Sequence, residues 1–161
     1  MDEQYINVEE NVVINSLYLA IVLNKFGKAK LEELAIAVYL FRFTNVLVSL
    51  LEKQNMKSYM RLCQESDLQN LDSLLSPYLV NIYNDRFQRS LSELLARDMI
   101  QRDKNDDFFI NFDAQILINL INELELNLVD ERFNIIVQYI RSNEVSVIKQ
   151  KIYGYSGELI G

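Results

Sequence analysis

Phe87-Gln-Arg-Ser-Leu-Ser-Glu-Leu-Leu-Ala-Arg-Asp-Met-Ile-Gln-Arg-Asp-Lys-Asn-Asp-Asp-Phe-Phe-Ile-Asn111 passes from a helical period to two short apolar runs around a polar turn. Phe87, Leu91, Leu94 and Leu95 recur at helical spacing, so the periodicity predicts an amphipathic helix over Arg86–Arg97 with Asp85 as its N-cap. Met99-Ile-Gln-Arg102 and Phe108-Phe-Ile-Asn111 read as two short strands, and Asp103 to Asp107 as the turn between them.

Upstream, Ile14, Leu17, Tyr18 and Ile21 mark one face of a first helix, which Gly27 closes by taking a left-handed conformation. Leu31, Leu34, Ala35 and Val38 mark a second helix, joined to the first by the short Gly27-Lys-Ala-Lys30 connection. A helix–turn–helix opening followed by a helix and a hairpin is the order of a winged helix. We therefore expect a mainly α fold, a winged-helix-like bundle with one small β-hairpin wing.

Other boundaries are less sharply written. Phe43-Thr-Asn45 breaks the second helix and permits another through about Glu52, and 54–72 reads as a loop holding a short helix around Tyr59–Gln64. Pro77 marks a boundary or opens a short helix through Tyr83. Asp113 caps a helix faced by Ile116, Leu117, Leu120, Ile121 and Leu124. After a break at Asn127–Asp130 come a helix with Phe133, Ile136, Val137 and Ile140 and one capped by Ser142 with Val145, Ile148 and Ile152. The tail Tyr153–Gly161, which holds three of the four glycines, reads as a loop. The expected organisation is a single domain over 1–161, with a helical part at 11–52, a helix–wing–helix unit at 78–126, and C-terminal helices and tail at 127–161.

Composition narrows the chemistry. Half of the residues are hydrophobic, enough for a substantial core. With no histidine, the Ser-His-Asp and Cys-His nucleophile systems and the usual zinc sites cannot be built. Cys63 reads as a structural thiol, with Arg61 and Glu65 at equal distance on either side. Asp103, Asn105 and Asp107 copy the first ligand positions of a calcium-binding loop, but Phe108 replaces its glycine and Ala114 its bidentate glutamate. Gly27-Lys28 lacks the frame of a phosphate loop. Adjacent carboxylates such as Glu32-Glu33 and Asp106-Asp107 point apart on a regular element, and an enzyme built on them is the weakest reading. The expectation is a non-enzyme with no catalytic residue, metal or cofactor.

No apolar run reaches the ~18 residues of a membrane span. The acidic Met1-Asp-Glu-Gln4 is the reverse of a presequence, and a lone cysteine fits a reducing compartment, so a cytoplasmic location without a membrane partner is expected. The net charge of −7 opposes that of a stand-alone DNA-binding module. Candidate DNA contacts are nonetheless Lys25, Lys28 and Lys30 around the first turn, and Arg86 and Arg89 at the start of the helix that would enter a major groove. Candidate protein contacts are the alternating aromatics Tyr39, Phe41 and Phe43, the wing acids Asp103, Asp106 and Asp107, and Tyr153 and Tyr155 of the tail. The wing carries four charges, three of them negative, which suits a basic partner better than phosphate.

Three features carry a family likeness: the opening Val12-Val-Ile-Asn-Ser-Leu-Tyr-Leu-Ala20, the apolar second helix Leu34-Ala-Ile-Ala-Val-Tyr-Leu40, and the helix and wing from Phe87 to Asn111. In these the chain resembles the small middle components of bacterial ABC-three-component systems, relatives of the Lamassu anti-phage systems. It lacks the proline-containing, Leu-rich second element of many of them. The resemblance implies a non-catalytic assembly subunit that holds an SMC-like ATPase and an effector, meets DNA through that complex, and contributes no catalytic residue. The alternative is a winged-helix DNA-binding transcriptional regulator.

Overall fold

The computed structural model describes residues 11–69 and 81–160, with side chains through Tyr155. Among the described residues the chain forms nine helices and one two-stranded antiparallel sheet, a mainly α fold with a β-hairpin. The order is α1 (Val12–Phe26), α2 (Leu31–Arg42), α3 (Thr44–Leu50), α4 (Lys53–Leu62), α5 (Glu65–Gln69), α6 (Asp85–Ala96), β1 (Ile100–Arg102), β2 (Phe108–Ile110), α7 (Ala114–Glu123), α8 (Asn127–Arg141) and α9 (Val145–Ile160).

Helix α1 is the axis of the molecule, packed against α2, α6, α8 and β2. Its Asn11 side chain accepts from the N–H groups of Val13 and Ile14, satisfying donors that the first turn leaves open. The helix is enclosed on several sides, so Leu19 to Leu23 are all buried while Ile14, Leu17 and Tyr18 of the expected stripe are only half-buried. Gly27 ends it at φ +75°, as the sequence suggests, and the Arg141 guanidinium donates to the freed Phe26 carbonyl.

Helices α2 and α3 meet at 106° around Phe43. Stacked rings pack on both sides of α2, Tyr39 on Phe43 and Phe41 on Phe133 of α8, both at 4.4 Å. One hydrophobic cluster among the described residues runs from Leu19 to Ile152, drawing on the segments 11–52, 78–126 and 127–161 alike.

The hairpin pairs Ile100 with Ile110 and Arg102 with Phe108. Ala29, between α1 and α2, adds a third rung by exchanging both backbone hydrogen bonds with Phe108, at 3.1 and 2.8 Å. The wing is thereby tied to the turn before α2, and α3 to α5 stand as an insertion between the opening helices and α6.

Several expectations need correction. The 54–72 region holds α4 and α5 rather than one short helix in a loop, although 70–72 lie outside the described residues. Leu75 to Pro77 also lie outside them, and Ile82 and Tyr83 form a turn rather than the end of a helix. Asn84, not Asp85, caps α6, its side chain accepting from Phe87 N–H at 3.0 Å. Asp113 caps α7 as expected. The break before α8 falls at Leu124–Leu126, earlier than Asn127–Asp130, and Ser142 closes α8 rather than opening α9. The Tyr153–Ile160 tail is helical, because Val145, Ile148, Ile152 and Tyr155 continue one face against the core.

Candidate functional site

The helix–wing unit shows first what its charges do. The expected cations of the first turn and the expected acids of the wing meet each other. Lys28 Nζ lies 3.1 Å from Asp103 Oδ2, and Lys30 Nζ lies 2.8 Å from Asp107 Oδ1 and donates to the Asn105 carbonyl at 2.7 Å. Lys25 is bound instead to Asp130 of α8 at 2.9 Å.

Asp103 also organises its own turn. Its Oδ1 accepts from Asn105 N–H at 2.9 Å and Asp107 N–H at 3.0 Å, while Asp106 turns the chain at φ +63°. The Asp107 amide and then the Lys28 ammonium hold the Asp103 carboxyl below the usual carboxylate range, and the Asp107 hydrogen bond raises the Lys30 ammonium above its ordinary value. Asp106 lies nearest Arg102, at 3.5 Å. No group of three His, Cys, Asp or Glu that could hold a metal occurs among the described residues. The carboxylates of the calcium-like motif are spent on loop amides and lysines.

Helix α6 repeats this internal pairing. Arg89 binds Asp85 one turn away at 2.9 Å, and Arg97 binds Glu93. Arg86 and Arg89 border an open cleft of about 440 Å³ with Asn15, Asn81 and Asn84. Across the unit, Arg86, Arg89, Arg97, Arg102 and Lys104 are balanced by Asp85, Glu93, Asp98, Asp103, Asp106 and Asp107. The face that would meet DNA carries both signs in near balance.

The aromatic candidates are corrected. Tyr39, Phe41 and Phe43 are at most 5% exposed, so none of them forms a partner surface. Tyr39 and Phe43 face one side of α2 and Phe41 the other, and α2 is covered on both sides by the core. Burial pushes the Tyr39 hydroxyl well above its ordinary range. Tyr153 is 48% exposed on α9, whereas Tyr155 packs partly against the core, so only Tyr153 remains a surface aromatic.

Two features were missed in the sequence. Arg132 of α8 is 5% exposed and gathers four elements: Nε donates to Tyr59 Oη of α4 at 3.0 Å, and Nη2 donates to Phe41 O at 3.2 Å and to Thr44 Oγ1 at 3.3 Å. Nη1 lies 3.5 Å from Asp67 of α5, and the guanidinium stacks 4.1 Å above the Phe41 ring. Burial pushes the Tyr59 hydroxyl up against the pull of Arg132, and also raises the nearby half-buried Cys63 thiol, which disfavours the reactive thiolate.

The second is the outer face of α7. Leu117 and Ile121 are buried, but Ile116, Ile118, Leu120 and Leu124 are 55%, 41%, 38% and 54% exposed. A sequence stripe that looked like core is therefore covered only along its centre.

No protein-family model, curated protein or solved structure matches the chain. No single helix among the described residues is long and apolar enough to cross a membrane.

Proposed function

We propose that this chain is a non-catalytic docking subunit, which holds an SMC-like ATPase and its effector within an anti-phage defence assembly. The pairing of Lys28 and Lys30 with Asp103 and Asp107 carries this reading, because the two lysines of the turn are bound to wing carboxylates rather than held free for phosphate. The uncovered α7 face supports a protein partner in the same direction. Such a subunit acts by differential binding: it holds one conformational state of the assembly better than another and so shifts the population. Co-expression with an SMC-like ATPase and effector encoded beside the chain, followed by size-exclusion chromatography, tests it. Co-elution is the expected result. Elution of the chain alone, as a monomer, contradicts it.

A DNA-binding regulator is the second reading, favoured by one observation, that Arg86 and Arg89 stand in the first turns of α6 beside an open cleft. A salt-dependent mobility shift of duplex DNA by the isolated chain, lost in R86A/R89A, would select it over the first.

A further inference from the structure

We infer that the Ile116–Leu120–Leu124 face of α7 docks an amphipathic helix with basic flanks, contributed by a partner protein. The inference rests on the assembly reading only in requiring that a partner exists.

Ile116 and Leu120 are one turn apart, and Leu124 follows at the same sequence interval as the C-cap residue. The three form a continuous ridge beside the buried Leu117 and Ile121. Helix α7 packs against α1 and α8, with Leu117 and Ile121 as its buried residues. The opposite side is closed by the Gln115–Asn119 side-chain hydrogen bond and is polar. A helix of this kind on a finished surface would carry polar residues at 116, 120 and 124, so the ridge is ready for a hydrophobic partner.

Charge selects the occupant. No Lys or Arg occurs between Lys104 and Arg132, and Arg132 is buried. Helical spacing puts Asp113 one turn before Ile116 and Glu123 one turn after Leu120, with Glu125 just beyond, all exposed. The ridge thus begins and ends in carboxylates that no cation on this helix offsets. A second copy of the chain is a poor occupant. Antiparallel pairing sets Asp113 against Glu123 and Glu125, and parallel pairing sets each acid against itself. An anionic membrane is repelled for the same reason. A helix with leucines on one face and Lys or Arg along the flanks satisfies both features, and helix-in-groove docking reads such anchors at these intervals.

The test uses the full chain and two synthetic helix-forming peptides of about 20 residues. Both carry a leucine stripe, one flanked by lysine and the other by glutamate. Fluorescence anisotropy should show the lysine peptide bound at least about tenfold more tightly than the glutamate peptide, with the difference shrinking in high salt. In I116A/L120A/L124A, whose alanines preserve helix propensity, affinity for the lysine peptide should fall about 30-fold or more. N119A/N122A, on the polar side and without a change of charge, should bind as the parent does. Equal binding of both peptides, no binding of either, or unchanged binding by the alanine variant overturns the inference. So does sedimentation showing the free chain to be a dimer that the alanine variant dissolves, or adsorption to anionic phospholipid vesicles that the variant abolishes. If the alanine variant still co-elutes with the ATPase, this face is not the dock and the assembly reading stands. If neither form co-elutes yet the peptides discriminate, the assembly reading falls and the face stands.

Discussion

Replacing Arg132 by methionine isolates what its guanidinium contributes, because the new side chain keeps most of the aliphatic stem. The substitution deletes the donors to Tyr59 Oη, Phe41 O and Thr44 Oγ1. The loss is unequal among the three acceptors. Thr44 Oγ1 also donates to Phe41 O at 3.4 Å, so that pair keeps a weak bond with each other. Tyr59, fully buried, loses its charged donor outright. A hydrogen bond to a charged group contributes about 1.5–3 kcal/mol, and relief of the buried guanidinium's desolvation offsets part of the remainder. R132M should therefore cost about 2–3 kcal/mol, and R132A about 3–5 because it also opens a cavity. For a chain of this length that lowers Tm by roughly 2–4 °C per kcal/mol. Y59F strands the Nε–H and should cost a comparable amount alone. In R132M/Y59F both partners are gone, so the double variant should be more stable than the two single losses predict, by about 1–2 kcal/mol. Asp67 is nearly a third exposed and 3.5 Å away, so D67N should cost under about 1 kcal/mol. Urea denaturation followed by circular dichroism measures all five. Additive losses from R132M and Y59F, or a D67N loss as large as that of R132M, would refute the clamp.

Three further outcomes follow from the wing and the first turn. K28E/K30E places like charges opposite Asp103 and Asp107. Because these pairs are exposed it should change global stability by no more than about 1 kcal/mol, yet hydrogen–deuterium exchange over 100–110 should accelerate, and adding D107K to K30E should restore part of the protection that K30E alone loses. The folded-state value of Asp103 lies below its ordinary one, so its contribution is present above the usual carboxylate range and is lost as pH falls through the lowered value. Exchange at the Asn105 and Asp107 amides, corrected for intrinsic rate, should rise only in acid below about pH 4, and D103N should abolish that dependence. Lys30 titrates in the opposite sense: its folded-state value is raised, so its contribution persists below the ordinary lysine range and is lost above it. G27A forces a Cβ into φ +75°, where it meets no atom within 4 Å, so the cost is backbone strain alone, about 1–3 kcal/mol by thermal melting.

The parts of the fold legible in the sequence were those written in local spacing. Phe133, Ile136, Val137 and Ile140 lie buried as their period requires, and the hairpin falls within a residue of its expected strands. Helix α4 was hidden because Tyr59 is its one buried residue, leaving no apolar stripe to count. The tail misled because its glycines outweighed the 145, 148, 152 and 155 interval, and at Gly154 the open surroundings show that no close approach required glycine. The run Leu34–Phe41 has no polar side, which is the mark of a helix buried all round, and that signal could have retired Tyr39, Phe41 and Phe43 as surface candidates. The lysine–wing pairs join residues some 75 positions apart, and no local pattern records them. For α7 the stripe was legible but its width was not. Spacing shows which residues share a face, and only the packed structure shows how much of that face is covered.

A helix followed by a β-hairpin does not decide between DNA and protein, since function lives in the site placed on a fold. Here the charges of the hairpin and the first turn bear on the choice. For Lys28 or Lys30 to reach a phosphate, its pair with Asp103 or Asp107 must open, and the released carboxylate then stands beside the same phosphate. Two unit charges at 4 Å interact by about 1 kcal/mol in water and more near a protein surface, so the freed acid cancels much of what the lysine gains. Helix α6 repeats the problem with Arg89 against Asp85. A protein partner on α7 meets no such penalty, because among the described residues no cation is paired with Glu123 or Glu125 and the apolar ridge needs only to be covered. The two faces of the molecule differ in this one respect: on the helix–wing side Lys28, Lys30, Arg89, Arg97 and Arg102 are paired with acids, and on the α7 side no cation among the described residues is paired with Glu123 or Glu125.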